Sequence, residues 1–390
     1  MKRILTVAQV GCGAFATSQD LPNFAAHPLT RVKWCCDTNL DQARTVARRF
    51  GVPEATDDVE QVVADPEVDL IKIATSHEAH LPIIEAAAAH GVHVFCEKPM
   101  ALEEPEAHAI IRAVRRGGIK LCVDLNRRLS PSLGALRRRW RAHLQAPRHP
   151  PWRYVEVERE PFPEERRTQL LMRIQDESSS YRLVHLDPTH GGGLVIGESV
   201  HWFDLACWFF APQRPVEIQA WGSARFSHGA HLTFSEGDTA TLVFSCGGTF
   251  DYPKELYEVA SHGALLRSRF FVENAYYGIP GAERETFALQ HDGVPSVGGQ
   301  GGFDGYLAKY EARVRGLNGS SREDYGALTV DKGHRAMLDG FVRAILEGGP
   351  SPCDEWDGLA SMYLARLALR SIELRQALPV AVDRLRPAIG

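Results

Sequence analysis

Residues 4–16, Ile4-Leu5-Thr6-Val7-Ala8-Gln9-Val10-Gly11-Cys12-Gly13-Ala14-Phe15-Ala16, decide how the first third of the chain folds. An apolar, β-branched run enters a G-x-G-x-x-A turn with a helix expected after it, the context this fingerprint requires. Gly11 permits the tight turn, and Gly13 lets the backbone approach a pyrophosphate. The small Ala16 lets the helix lie close to the sheet, so its N-terminus faces the negative charge. A glycine turn alone is weak, because such turns also close strands for structural reasons. Here Asp37 ends the next apolar run, 21 residues after Ala16, where a carboxylate accepts hydrogen bonds from an adenosine ribose. Thr38 and Asn39 follow it, with no arginine placed for a 2′-phosphate, so NAD is favoured over NADP.

Outward from that turn, Val32–Cys36, Leu70–Ala74, Val92–Cys96 and Ile119–Val123 read as further buried strands. Asp41–Phe50, Leu81–His90 and Pro105–Arg116 read as helices between them. Strands separated by helices of this length build right-handed βαβ units, so residues 1–125 are expected to form a doubly wound parallel sheet. After Asn126 the pattern changes. A helix from Ser132 to about Leu144 carries Arg137, Arg138, Arg139 and Arg141, expected as a solvated face, and a Pro-rich joint follows at 146–152. Arg153–Glu158, Val216–Trp221, Ala230–Phe234, Thr239–Ser245 and Leu266–Phe271 alternate as strands of a second, antiparallel sheet do. Ser296–Gly302 reads as a mobile loop, and two helices close the chain, the first from about Lys332 to Leu346. Residues 126–390 are therefore expected to form an α+β substrate-binding domain.

Of the 390 residues, 44% are hydrophobic and 24% charged, a globular balance that rules out disorder and low-complexity assemblies. A net charge of −5 argues against a basic nucleic-acid-binding surface. Eight cysteines with no C-x-x-C pair, most inside apolar runs, read as buried reduced thiols and place the protein in the cytoplasm. Met1-Lys2-Arg3 before an apolar stretch imitates a secretory leader, but Gln9 interrupts it and the glycines end a strand. Val200–Ala211 is too short to span a bilayer, so no membrane association is expected. Only eight lysines occur, so any lysine in a motif stands out.

One such lysine is Lys98, in Cys96-Glu97-Lys98-Pro99, directly after a strand and so at the carboxyl edge where doubly wound sheets bind ligands. A lysine there can donate to a substrate oxygen or, with its pKa lowered, accept a proton. A surface lysine in a proline turn is the plainer alternative. Gly191-Gly192-Gly193 leads into an amphipathic segment in which Glu198, His201 and Asp204 recur every third residue. On one helix face a carboxylate could orient the imidazole, although a core histidine satisfied by Asp204 has the same spacing. No other His/Cys cluster has ligand spacing, so no metal is expected.

These pieces together resemble the Gfo/Idh/MocA oxidoreductases, the glucose-fructose oxidoreductase, inositol dehydrogenase and rhizopine catabolism family. The resemblance spans nearly the whole chain: the VGCGAFA turn, IATSHEAH (73–80), CEKPMAL (96–102), LNRRLSP (125–131), the glycine loop with His201 and Asp204, and DKGHRAMLDGFVRAI before the GGPSP joint. It implies an N-terminal Rossmann domain and a C-terminal α+β domain on a large open sheet. One face of that sheet would line the substrate cleft, and the other would join a homodimer or homotetramer. It further implies that Lys98 and His201 are catalytic, that Asn126-Arg127 borders the cofactor, and that the Lys98–Pro99 bond is cis. Gly11, Gly13, Ala14, Phe15, Ala16, Asp37, Thr38, Thr75, Ser76, His77, His80, Glu97 and Lys98 would complete the NAD site. Two departures stand out. Gly197 occupies the usual Asp position four residues before the histidine, leaving the proton relay to Glu198, and Thr75-Ser76 replaces the usual Thr-Pro.

The implied function is NAD-dependent hydride transfer at a secondary ring hydroxyl of a sugar, glycoside or cyclitol. Arg173, Asp176, Glu177 and Tyr181, with 185–188, are expected at the cleft mouth, because carboxylates beside an aromatic ring suit a polyol. A solvated charged loop is the alternative there. An NAD-dependent glycoside-cleaving enzyme of the same fold, a non-enzymatic dinucleotide or sugar sensor, and a scaffold remain the alternatives for the whole chain.

Overall fold

The computed structural model describes residues 3–145, 167–177, 186–187, 191–249, 252–279, 281, 283–289, 302–316 and 329–385. Strands β1 (Leu5–Val10), β2 (Thr30–Cys36), β3 (Glu54–Thr56), β4 (Leu70–Ile73), β5 (His93–Cys96) and β6 (Leu121–Val123) form one sheet. Its order is β3-β2-β1-β4-β5-β6 and every pair is parallel. Helices cover both faces, so β1 and β4 are buried along their whole length, as their continuous apolar runs require. These helices are α1 (Leu21–Ala26), α2 (Leu40–Phe50), α3 (Val59–Val63), α4 (His80–Ala89) and α5 (Glu104–Gly117). Asn39 caps α2 by accepting from the Asp41 and Gln42 amides, and Gly51 ends it in the left-handed conformation. The five expected strands and three expected helices are all present, shifted by one or two residues. The short β3 and α3 carried too few residues to show a period. Strand order reverses between β1 and β4, and the crevice for a ligand opens beyond their carboxyl ends.

The second sheet is built from β7 (Gln169–Gln175), β8 (Pro215–Gly222), β9 (His228–Phe234), β10 (Thr239–Ser245), β11 (Glu255–Ser261), β12 (Ala264–Arg269), β13 (Glu273–Tyr277), β14 (Arg284–Thr286) and β15 (Leu378–Pro379). Its order is β14-β13-β12-β11-β7-β10-β9-β8-β15, antiparallel except for β7 with β10. The expected strand at Arg153–Glu158 and nearly all of Ser296–Gly302 lie outside the described residues; Gly302 itself begins a helix.

Helices α6 (Pro131–Gln145), α7 (Gly193–Gly197) and α8 (Val200–Phe210) follow in chain order, and α6 and α8 pack on one face of this sheet. Trp140 stacks on Phe209 with centroids 4.7 Å apart, and Trp202 meets Phe244 of β10. The basic face of α6 is only partly solvated. Arg138 and Arg139 are exposed, but Arg137 lies 4.5 Å over the Trp208 ring and donates to the Phe209 carbonyl. A cation there also complements the carboxyl end of α8.

The chain then closes with α9 (Gly302–Gly316), α10 (His334–Glu347) and α11 (Glu355–Leu374). The last two return to the first sheet. Phe341 packs on Phe95, the Val123 amide donates to the Cys353 carbonyl at 2.9 Å, and Gly358 lies against Met100 and Val123 so closely that a Cβ would come within 2.9 Å of both. Among the described residues no helix is long and apolar enough to cross a membrane.

Candidate active site

A cleft of about 350 Å³ lies between the carboxyl edge of the parallel sheet and the second sheet, lined by Phe15, Thr75, Glu97, Lys98, Asn126, Glu198 and His201 among others. At its entrance Gly11 has φ +88°, and a Cβ there would fall 2.4 Å from the Ala74 carbonyl, so only glycine lets β1 turn this close to the end of β4. Gly13 meets the opposite condition: a Cβ would find nothing within 4 Å, which leaves open space above the backbone for a phosphate. Ala14 and Phe15 are exposed beside it, and Ala16 is buried. The Asp37 carboxylate is held by the Cys12 amide at 2.8 Å and the Asn39 amide at 2.9 Å. Each oxygen keeps a second lone pair for a ribose hydroxyl. Thr38 is exposed next to it, as is Ser76 after β4. These residues fit a dinucleotide.

Lys98 leaves the end of β5 through a cis Lys98–Pro99 bond. Its Nζ donates to the Gly197 carbonyl and to Glu198 Oε1, each at 2.8 Å, leaving its third N–H for another acceptor. His201 is 5% exposed and its Nδ1 has no hydrogen-bond partner among the described residues. Burial, with Arg127 and Lys98 nearby, pushes its pKa well below that of an ordinary histidine, so it stands as a neutral base facing the cleft. Burial alone would raise the Glu198 carboxyl, but Lys98 and Lys254 outweigh it and hold it down at about 2.

The expected triad on one helix face therefore divides. Glu198 partners Lys98 rather than His201, and Asp204 takes a bidentate pairing from the buried Arg128. Neither carboxylate orients the imidazole.

Asn126 and Arg127 line the cleft. Asn126 Nδ2 donates to the Lys332 carbonyl at 2.9 Å and approaches His334 Nε2 at 3.1 Å. Arg127 spans Glu255 with bonds of 2.9 and 3.0 Å, and Lys332 donates to the same carboxylate at 2.8 Å. Beneath the cleft floor the fully buried Lys72 ammonium lies 2.6 Å from Glu97, 3.4 Å from Asp20 and 3.4 Å from Asp124. Those three carboxylates are the one group among the described residues close enough together to share a metal ion. The cation at their centre is the chain's own.

Three expected site residues fall elsewhere. His80 is fully buried and donates from Nδ1 to the Pro99 carbonyl at 3.1 Å, a core role behind the lysine turn; His77, one turn earlier, lines the cleft. Arg173 belongs to the opposite face of the second sheet. It alternates with the buried Met172 and Ile174, and Glu255, opposite Ile174, shares the inner face. Asp176 is on the inner face but buried, paired with Lys254, which stands 3.7 Å from Glu198. It reaches the site through that lysine rather than by facing the cleft mouth. Glu177 is half-buried beside it, as is Asp187. Tyr181, His185 and Pro188 lie outside the described residues. Lys254, Glu255, Lys332 and His334 were not singled out by sequence reasoning. The rarity of lysine was the one signal that pointed toward two of them.

A family model described as an oxidoreductase family with an NAD-binding Rossmann fold matches residues 5–125. The chain is 30% identical over 131 residues to a D-apiose dehydrogenase of Paraburkholderia graminis, covering 34% of this chain and 35% of that protein. It is 33% identical over 137 residues to a levoglucosan dehydrogenase of Pseudarthrobacter phenanthrenivorans, covering 33% and 35%. The matched region is thus about a third of the length of these curated relatives. Likeness of fold extends further: the structure of a levoglucosan dehydrogenase in complex with NADH and levoglucosan superposes with a TM-score of 0.73 at 18% identity, over 97% of this chain and 100% of that one.

Proposed function

We propose, on the premise that the chain belongs to the Gfo/Idh/MocA oxidoreductase family, that it is an NAD-dependent dehydrogenase acting on a secondary ring hydroxyl of a sugar, glycoside or cyclitol. The observation that carries this reading is that Lys98 and a neutral His201, whose Nδ1 has no hydrogen-bond partner among the described residues, line one cleft at the carboxyl edge of the parallel sheet. NAD bound at that edge supplies the hydride acceptor. Asp37 would hold its ribose, and the open backbone at Gly13 its pyrophosphate. The absence of an arginine after Asp37 favours NAD over NADP.

The chain's own groups handle the proton. Lys98, fixed by Gly197 and Glu198, directs its remaining N–H at the substrate oxygen and stabilises charge developing there. His201, neutral and facing the cleft, accepts the hydroxyl proton as the C–H bond breaks. Glu198 aims Lys98 rather than relaying a proton. Enclosure between two domains orients the reacting carbon against the cofactor. The outer face of the second sheet exposes Leu171, Val243, Leu265 and Tyr277, which supports assembly with a second copy through that face.

A panel of sugars, glycosides and inositols incubated with NAD, read as absorbance of the reduced cofactor, tests the reading. Turnover of at least one polyol is expected. No turnover across the panel, with NAD binding intact, would leave a sensor rather than an enzyme.

A further inference from the structure

Three side chains, Asp124, Asn126 and His334, meet just beyond the carboxyl end of β6, and the order of donors and acceptors among them is forced from one end. The Lys332 carbonyl can only accept, so the Asn126 atom 2.9 Å from it is the amide nitrogen. That nitrogen also stands 3.1 Å from His334 Nε2, which must therefore present its lone pair. The ring proton is then on Nδ1, and it faces Asp124 Oδ2 at 3.4 Å, a carboxylate oxygen that accepts it. Each group sets the next.

The consequence falls on Asn126 Oδ1. Both amide hydrogens are committed, to the Lys332 carbonyl and to His334, while Oδ1 is buried with no hydrogen-bond partner among the described residues. Asn126 is fully buried, yet it lines the cleft together with Asp124 and His334. A buried amide oxygen left bare is costly, so this position is completed by a donor from a ligand. Packing holds the arrangement still. Gly333 has φ +96°, and a Cβ there would fall 2.3 Å from the Asn126 main-chain oxygen, so glycine lets α10 begin directly against Asn126. His334 is the first residue of that helix, and its ring meets Phe15 edge-on with centroids 5.8 Å apart. Phe15 belongs to the dinucleotide turn, which puts the three side chains on the cofactor's half of the cleft.

We propose that His334 is a positioning residue for the cofactor. Backed by Asp124, it holds the Asn126 carboxamide in the orientation that leaves Oδ1 as the acceptor for the amide N–H of a nicotinamide. That amide has a donor end and an acceptor end, and Oδ1 can bond only the first. Asn126 would thus fix which way round the amide lies. The inference rests on the dinucleotide-binding part of the reading above and is tested by binding, without turnover.

The experiment is calorimetric titration with three probes: NAD, 3-acetylpyridine adenine dinucleotide, whose methyl ketone replaces the amide, and ADP-ribose, which lacks the ring. The unmutated protein is expected to bind NAD about fivefold or more tighter than the acetylpyridine analogue. Asn126→Leu and His334→Phe should weaken NAD and bring the two dinucleotides within about twofold of each other, with ADP-ribose binding unchanged. His334→Gln returns an acceptor to the Asn126 amide and should restore the gap. The proposal is overturned if the unmutated protein binds no NAD or binds both dinucleotides equally, or if the gap survives His334→Phe. It also falls if the variants weaken ADP-ribose as much as NAD, which marks a merely structural role, or if they raise only the KM of a polyol, which turns Oδ1 toward the substrate. The dehydrogenase reading fails separately. A gap that responds to His334 in a protein that oxidises no polyol leaves the positioning role standing, and turnover without a gap does the reverse.

Discussion

Two ion clusters flank the cleft and are built in opposite senses. On the parallel-sheet side one ammonium, Lys72, sits among three carboxylates. On the antiparallel-sheet side one carboxylate, Glu255, sits among Arg127, Lys332 and the Tyr257 hydroxyl. The two differ in how they can relieve their imbalance. Burial pushes the Asp20 carboxyl up to about 8, so the negative cluster keeps a proton and sheds part of its excess. Arg127 cannot give up a proton in the same way. The negative side adjusts itself by protonation, whereas the positive side is held together by the four hydrogen bonds that Glu255 accepts.

Removing Lys72 is the harshest way to break this comparison. Lys72→Met strips the central ammonium from three carboxylates, two of them buried, and is expected to destabilise the fold by about 3–5 kcal/mol, measured by chemical denaturation. A loss below about 1 kcal/mol would mean that the carboxylates simply take up protons. Lys98→Met comes next. It removes the side chain that Gly197 and Glu198 hold at the cleft, so turnover rather than stability should suffer: kcat falls by about 10²-fold or more with NAD affinity nearly unchanged. Activity above a tenth of wild type would take Lys98 out of the chemistry.

Asp37→Ser lies outside both clusters and serves as their control. It is expected to weaken NAD by about tenfold and narrow the gap to NADP without a change in melting temperature. Equal use of both cofactors by the unmutated protein would show that Asp37 does not discriminate. A change of pH sharpens the negative cluster. Because the Asp20 pKa is raised in the folded state, the folded protein holds a proton that the unfolded chain releases above pH 4. That contribution is full in acid and is lost as pH rises toward 8. Asp20→Asn has no such loss, so its stability relative to wild type should rise between pH 5 and pH 7, by up to about 1.4 kcal/mol per pH unit. A pH-independent difference would place the shared proton elsewhere.

How much of this was legible depended on range. Strands and helices of the first domain announce themselves through local periodicity, and the glycine turn, Asp37, Lys98 and His201 through motifs a few residues long. Lys72 sat unnoticed inside Leu70–Ala74, because a buried parallel strand reads as an apolar run and one lysine does not break it. Arg127 and Glu255 are 128 residues apart, and no local pattern links them. Arg173 was misplaced for a different reason. Proximity in sequence to Asp176 suggested a shared site, but a strand sends odd and even positions to opposite faces. Four of the eight lysines of the chain meet at this cleft, so scarcity of a residue type was informative where spacing was not.

The return of the last helices to the first sheet changes the meaning of chain order. Residues 1–125 carry the whole dinucleotide fingerprint, yet Phe95, Met100 and Val123 find their covering partners in Phe341, Cys353 and Gly358. During synthesis the dinucleotide half emerges first but stays partly uncovered until more than 200 further residues have followed. A ribosome that stalls after β14 leaves an apolar face open to solvent and to chaperones. An excised fragment ending at 125 carries the same open face, so it should be soluble only with the last two helices supplied in trans.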